Sequence, residues 1–193
     1  MTTGTLAVTG IEEADSLINS DPLALLLGML LDQQIPMERA FKSPWELKDR
    51  LGGQLEADHI ATLPEENLLA AFREKPALHR FPGSMATRAQ ALCQHLVENY
   101  DGSAEAVWAT AADGAEVLDR LVALPGFGKE KARIFLAVLA KRFGFQPEGW
   151  EAAAGPFADD TPRSVADIYS PESLAEVRAW KKAQKAKGKS KAD

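Results

Sequence analysis

The stretch Leu121 to Gly144, LVALPGFGKEKARIFLAVLAKRFG, sets two glycines and two lysines close together between two helical patterns. Glycine tolerates positive φ and lets other groups come close to the backbone, so Pro125-Gly126-Phe127-Gly128 reads as a tight turn. A structural turn is enough to account for the glycines alone. The chemical reading is that Gly126 and Gly128 leave backbone N–H groups open at the start of a helix, where the positive end of the helix dipole favours a phosphate oxygen. Lys129 and Lys131 add positive charge at the same spot. Such a grip holds a sugar-phosphate strand whatever its base sequence.

Other chemistry is thinly supplied. Cys93 is the only cysteine, so neither a disulfide framework nor a thiolate set for zinc or an iron-sulfur cluster is expected. His59, His79 and His95 lack ligand-like spacing, and no metal site is expected. The formal charge of −6 is uneven: from Arg178 onward seven Lys and Arg face one Asp, a tail of +6, which leaves −12 on residues 1–177. An acidic body repels a polyanion over most of its surface, so a nucleic-acid partner needs a local positive site, the basic tail, or both. MTTGTLAVTG has no basic segment followed by an apolar one, and the run LALLLGMLL at 23–31 is too short to span a bilayer. A soluble, cytoplasmic protein with no membrane partner is expected.

The elements that must position the turn are helical, because apolar residues recur at helical rather than alternating spacing after TLAVTG. A first helix is expected over Ile11 to Asn19. A second starts at Asp21-Pro22 and runs until Pro36; being apolar nearly all round, it belongs in the core. Two short helices broken at Ser43-Pro44 follow, then one after Pro64 with Leu68, Leu69 and Phe72 inward, and one ending at Asp101-Gly102. GAEVLDRLVAL leads into the turn, and Lys129 to Phe143 forms the helix behind it. Residues 144–162 read as a long Gly-, Pro- and Ala-rich loop, RSVADIY and SPESLAEVRAWKKAQKAK as terminal helices, and the last ten residues as disordered. The fold class expected is all-α.

The string LxxLPGFGKEKA with an apolar helix behind it closely resembles the helix-hairpin-helix motif of the HhH-GPD superfamily of base excision DNA glycosylases, the endonuclease III and MutY type. Two upstream segments support the resemblance in the family's order. LALLLGMLLDQQIPMERAFK is similar to an early helix ending in a glutamine-containing segment, and RFPGSMATRAQALCQHLVENYDG to an aromatic turn before a basic helix. The likeness covers about residues 21–170. It implies two helical lobes: residues 21–144, including the motif at 118–143, and residues 1–20 with 145–180, leaving 181–193 as a basic, disordered tail.

By that resemblance the partner is double-stranded DNA with a lesion or mismatch, bound by a monomer at the nucleoid. Gly126, Gly128, Lys129 and Lys131 hold the strand, and hairpin carbonyls can hold a monovalent cation. Excision requires a nucleotide to leave the stack and something to fill the gap; Gln34 is the implied wedge, with Gln33 beside it. The alternative for both is that they satisfy the last carbonyls of their helix. Breaking the N-glycosidic bond builds positive charge on the sugar, which a carboxylate stabilises. Asp160, in the pair Asp160-Thr161 of FADDTPRSVADI, matches the family's aspartate; Asp159 is the competing register, and capping the next helix is the structural alternative.

Two departures from the family pattern bear on activity. Glu130 stands where members with strand-cleaving activity carry a nucleophilic lysine, which implies hydrolysis without a lyase step. The link from Glu130 to Asp160 is longer than usual, with the surplus in GFQPEGWEAAAGPF, where Trp150 or Phe157 could stack on an extruded base or anchor the loop. With no cysteine after Cys93, the cluster of several relatives is excluded. The expected activity is a monofunctional DNA glycosylase; the alternative is a noncatalytic helix-hairpin-helix DNA-binding or lesion-sensing protein.

Overall fold

Asp21 starts the helix on which the fold is built. Its carboxylate accepts from the amides of Leu23 at 2.9 Å and Ala24 at 3.1 Å, and Pro22 fills the first helical position, where no N–H is needed. The computed structural model describes residues 3–188 and 190. In chain order the helices are α1 (Glu12–Ser20), α2 (Pro22–Leu31), α3 (Met37–Arg50), α4 (Ala57–Thr62), α5 (Glu65–Arg73), α6 (Pro82–Tyr100), α7 (Ala106–Ala109), α8 (Gly114–Ala123), α9 (Lys129–Phe143), α10 (Trp150–Ala154) and α11 (Pro171–Ala186). Single 3-10 turns occupy Gly155–Phe157 and Val165–Asp167. Among the described residues there is no strand, so the all-α expectation is met.

Two sheathed helices form the core. Every residue of α2 from Leu23 to Leu31 is buried, and so is every residue of α9 from Ile134 to Ala140. Apolar residues all round the surface of a helix are stable only where neighbours cover every side. For α2 the neighbours include α1 and α3; for α9 they include α8, α10 and the turns at Gly155–Phe157 and Val165–Asp167. Close approach is built in at Gly28, where a Cβ would stand 2.7 Å from the Phe41 ring. The N-terminal segment closes on the same core, with the Thr5 amide donating to the Arg142 carbonyl at 3.2 Å.

Several boundaries differ from the sequence reading, each for a tertiary reason. Pro44 does not break α3: Phe41, Pro44 and Leu47 bury one face, and the Ser43 hydroxyl donates to the carbonyls of Arg39 and Leu78 at 2.7 and 2.8 Å. Packing there outweighs the cost of about 3 kcal/mol for a proline inside a helix. Residues 144–162 are not one open loop, because Trp150 and Phe157 are 9% and 1% exposed and anchor α10 and the turn after it. Neither ring is therefore presented to a ligand. RSVADIY makes only a 3-10 turn, closed by a reciprocal cap between Ser164 and Asp167. Helix α11 runs to Ala186 and so takes in 181–186, part of the stretch expected to be disordered; 189 and 191–193 lie outside the described residues. Among the described residues no single helix is long and apolar enough to cross a membrane.

Candidate nucleic-acid interface

The turn between α8 and α9 has the open amides that its glycines suggested. Gly126 adopts φ +83°, and a Cβ there would stand 2.5 Å from Leu30 Cδ1, so both backbone and packing require glycine. Phe127 is 6% exposed and packs edge-on against Phe135, with ring centres 6.1 Å apart; its amide donates to the Leu124 carbonyl at 3.0 Å. That anchor turns the flanking glycines outward: Gly126, Gly128, Lys129 and Glu130 are exposed. Gly128 is the N-cap of α9 and offers no side-chain acceptor, so among the described residues nothing in the protein accepts from the amides of Gly128, Lys129 or Glu130. Orphan donors at a helix N-terminus, in water and next to a lysine, can hold an anion.

The two lysines are not equivalent. Lys129 is exposed at the mouth of the turn. Lys131 bends across its own turn, over the Phe127 ring at 5.8 Å, and donates to the Leu30 carbonyl at 2.7 Å, near the end of α2. Its charge thus ties the hairpin to the glutamine segment.

That segment leaves the helix earlier than the sequence suggests. α2 stops at Leu31 rather than running to Pro36, and Gln34 takes the left-handed conformation at φ +56°. Side chains, one local and two from distant parts of the chain, take up carbonyls that a longer helix would have used. The Gln33 amide group donates to the Leu30 carbonyl at 3.0 Å, and the His79 ring meets the Gln33 carbonyl at 2.9 Å. Arg88 of α6 donates to Gln33 Oε1 at 3.0 Å. Gln33 is therefore a structural tie, matching the carbonyl-satisfying alternative. Gln34, held at the crest, is exposed.

His79 and Arg88 bring a third segment alongside. The Phe81 amide donates to His79 Nδ1 at 3.0 Å, which makes Nδ1 an acceptor and leaves Nε2–H to serve Gln33. Burial holds the His79 pKa below its ordinary value; the backbone acceptors at Gln33 and Leu31 oppose this, and Lys131 and Arg88 add to it. Next to it Phe81 is 42% exposed, with the Arg80 guanidinium 5.2 Å from its ring centre. The RFPG segment had signalled this only through its resemblance, and the roles of His79 and Arg88 had no local signal. The structure thus brings Gly126, Gly128, Lys129, Gln34 and Phe81 onto adjoining turns.

It does not bring Asp160 there. The Asp159 carbonyl accepts from Lys141 Nζ, and Lys141 also pairs with buried Asp167 at 2.7 Å. Lys141 lies twelve residues beyond Lys129, about 18 Å along the helix axis. Asp159 is occupied in addition by Arg163 at 2.7 Å and by the Thr161 amide at 2.9 Å, a structural tie. Asp160 is exposed beside it, at the far end of α9 from the turn. Residues 155–167 run along α9 away from its N-terminus, so Asp160 lies on the side of Lys141 rather than beside the hairpin. The carboxylate closest in sequence to the open amides is Glu130, which is exposed and makes no ion pair among the described residues. Cys93 is buried, which pushes its thiol up to about 12, so it is inert. No group of three or more His, Cys, Asp or Glu converges on a metal-sized site among the described residues.

Comparison with known families matches residues 27–192 to the family described as HhH-GPD superfamily base excision DNA repair protein. A comparison with curated proteins gives no match.

Proposed function

This chain belongs to the HhH-GPD superfamily of base excision DNA repair proteins, and on that premise we propose that it is a DNA N-glycosylase acting on duplex DNA without a lyase step. The observation that carries the reading is the open N-terminus of α9 beside an exposed Gln34. Phosphate oxygens of one strand bind the amides of Gly128, Lys129 and Glu130, with Lys129 adding charge. Gln34 enters the stack as a damaged or mispaired nucleotide leaves it, and its amide hydrogen-bonds to the orphaned partner base. Phe81, stiffened by Arg80, supplies an apolar surface for the opened step.

Hydrolysis needs a carboxylate near the sugar as positive charge develops. Glu130, two residues beyond Gly128, fills that role in this reading. It cannot form a Schiff base, and Lys131 is engaged at the Leu30 carbonyl. A monovalent cation, which the family resemblance implies, would be held by hairpin carbonyl oxygens, among them that of Leu124, which accepts from the Phe127 amide and keeps a second lone pair. No step depends on that ion.

A noncatalytic, lesion-sensing protein is the second reading, favoured by the distance of Asp160 from the turn. Chromatography of free base after incubation with duplexes carrying one lesion each tests the first reading. Base release that Glu130→Gln lowers by about 10²–10³-fold with affinity intact, and that Asp160→Asn leaves unchanged, supports hydrolysis at Glu130. Loss of release in Asp160→Asn alone would move the role to that residue. Tight duplex binding with no base released from any substrate would establish the noncatalytic reading.

A further inference from the structure

Helix α11 carries Arg178, Lys181, Lys182, Lys185 and, just past its end, Lys187, with no acid among them. It is firmly seated. Ser170 caps its start, Val177 is fully buried, and the Trp180 ring lies 5.4 Å from the Arg163 guanidinium. These anchors fix the rotation of the helix about its axis. Arg178 is thereby turned toward Glu38, with which it pairs, and Lys181 Nζ lies 2.9 Å from Met37 Sδ. Both line one groove together with Asp32–Glu38, the segment that carries Gln34. Lys182 and Lys185 continue the same rows one turn on, four residues beyond Arg178 and Lys181, and both are exposed.

Among the described residues Glu38 pairs with Arg178, and no ion pair involves Lys182 or Lys185. Like charges three and four residues apart raise the energy of a helix. The helix dipole offsets that for Lys185, in the last turn, but not for Arg178, Lys181 or Lys182, which stand before it. A bound polyanion would offset all of them.

The position of the face says which polyanion. The 30–37 segment is bracketed by cations of two helices: Lys131 of α9 holds the Leu30 carbonyl at 2.7 Å at one end, and Lys181 of α11 meets Met37 at the other. Gln34 stands between them. A side chain entering the minor groove has one strand on each side, the groove being only about 6 Å wide. We propose that Arg178, Lys181, Lys182 and Lys185 form a second phosphate-binding face, holding the strand across the groove from the one held by the hairpin. The protein then grips both strands about Gln34. This rests on the DNA-binding reading above and adds the second strand and its residues.

The test is fluorescence anisotropy on the full chain with a labelled duplex and with one of its strands alone, from 50 to 200 mM salt. The variants are Lys182→Gln/Lys185→Gln, both at exposed positions, and Lys129→Glu at the hairpin. The double variant is expected to lower the slope of log affinity against log salt by about 1.8 for duplex and to weaken duplex binding by up to about 60-fold at 0.1 M salt. Single-strand affinity stays near wild type, whereas Lys129→Glu weakens both. An unchanged duplex slope in the double variant, with Lys129→Glu still weakening binding, would overturn the second face and leave the hairpin reading standing. Equal loss for duplex and single strand would also overturn it, since the lysines would then act as a general attraction. Wild-type binding by Lys129→Glu would instead sink the hairpin reading.

Discussion

Replacing Gly128 by Asp sets stability against binding at one position. The residue sits at φ −92°, ψ 167°, extended backbone open to any side chain, and no atom lies within 4 Å of an added Cβ. An Asp there can accept from the amides one turn into α9, as Asp21 does for α2. The cap is worth a few tenths of a kcal/mol over glycine, the dipole interaction about 0.3–1, and the stiffer unfolded chain about 0.4–1. The sum of about 1–2 kcal/mol should raise Tm by about 2–8 °C in a chain of this size. The same carboxylate takes donors from the phosphate, costing about 1.5–3 kcal/mol for a charge-assisted bond, and adds about 1 kcal/mol of like-charge repulsion. Duplex affinity should fall by about 70- to 1,000-fold. Thermal denaturation and anisotropy at fixed salt read the two effects. A higher Tm with unchanged affinity would show that these amides do not hold the phosphate.

Gly126→Ala should act oppositely, on stability first: the left-handed backbone costs about 1–3 kcal/mol and the 2.5 Å approach to buried Leu30 about as much again, so Tm should drop by several degrees; an unchanged Tm would mean that the hairpin does not pack on α2. His79 makes the interface sensitive to acid. Because its pKa in the folded protein is lowered, the unfolded chain takes up the proton first as pH falls, so stability present above its ordinary value of 6.5 is lost below it. Denaturant titrations between pH 7.5 and 5.5 should show wild type losing more than His79→Gln, and parallel curves would contradict this. Borohydride reduction in the presence of an abasic duplex should trap no covalent complex, since in the proposed reading a carboxylate, Glu130, stands where a lyase would carry an amine; a trapped adduct would refute the assignment without a lyase step.

The hairpin was legible in sequence because its requirements are local. A left-handed residue at 126 demands glycine, and Phe127 must be large to anchor the turn. The helical class and the burial of α2 followed from apolar spacing alone. What escaped depended on partners far along the chain. α2 ends where it does because His79, 46 residues away, and Lys131, 101 residues from Leu30, take its carbonyls and those of the next turn. No local propensity encodes that. Asp160-Thr161 matched a motif, yet its place follows from how residues 150–167 lie along α9, fixed by Trp150, Phe157 and the Lys141–Asp167 pair. Gln34 was the implied wedge with Gln33 beside it, but sequence alone left the carbonyl-satisfying alternative open for both; the Arg88 and Leu30 contacts make Gln33 a tie and leave Gln34 exposed.

The most direct test is amide hydrogen exchange of the full chain, free and bound to a lesion-bearing duplex. Three segments should slow together on binding: the amides of residues 126–130, those around Gln34 and those of the turn at 79–83. If 126–130 exchange at the same rate in both states while protection falls elsewhere, the open end of α9 is not where this protein holds DNA.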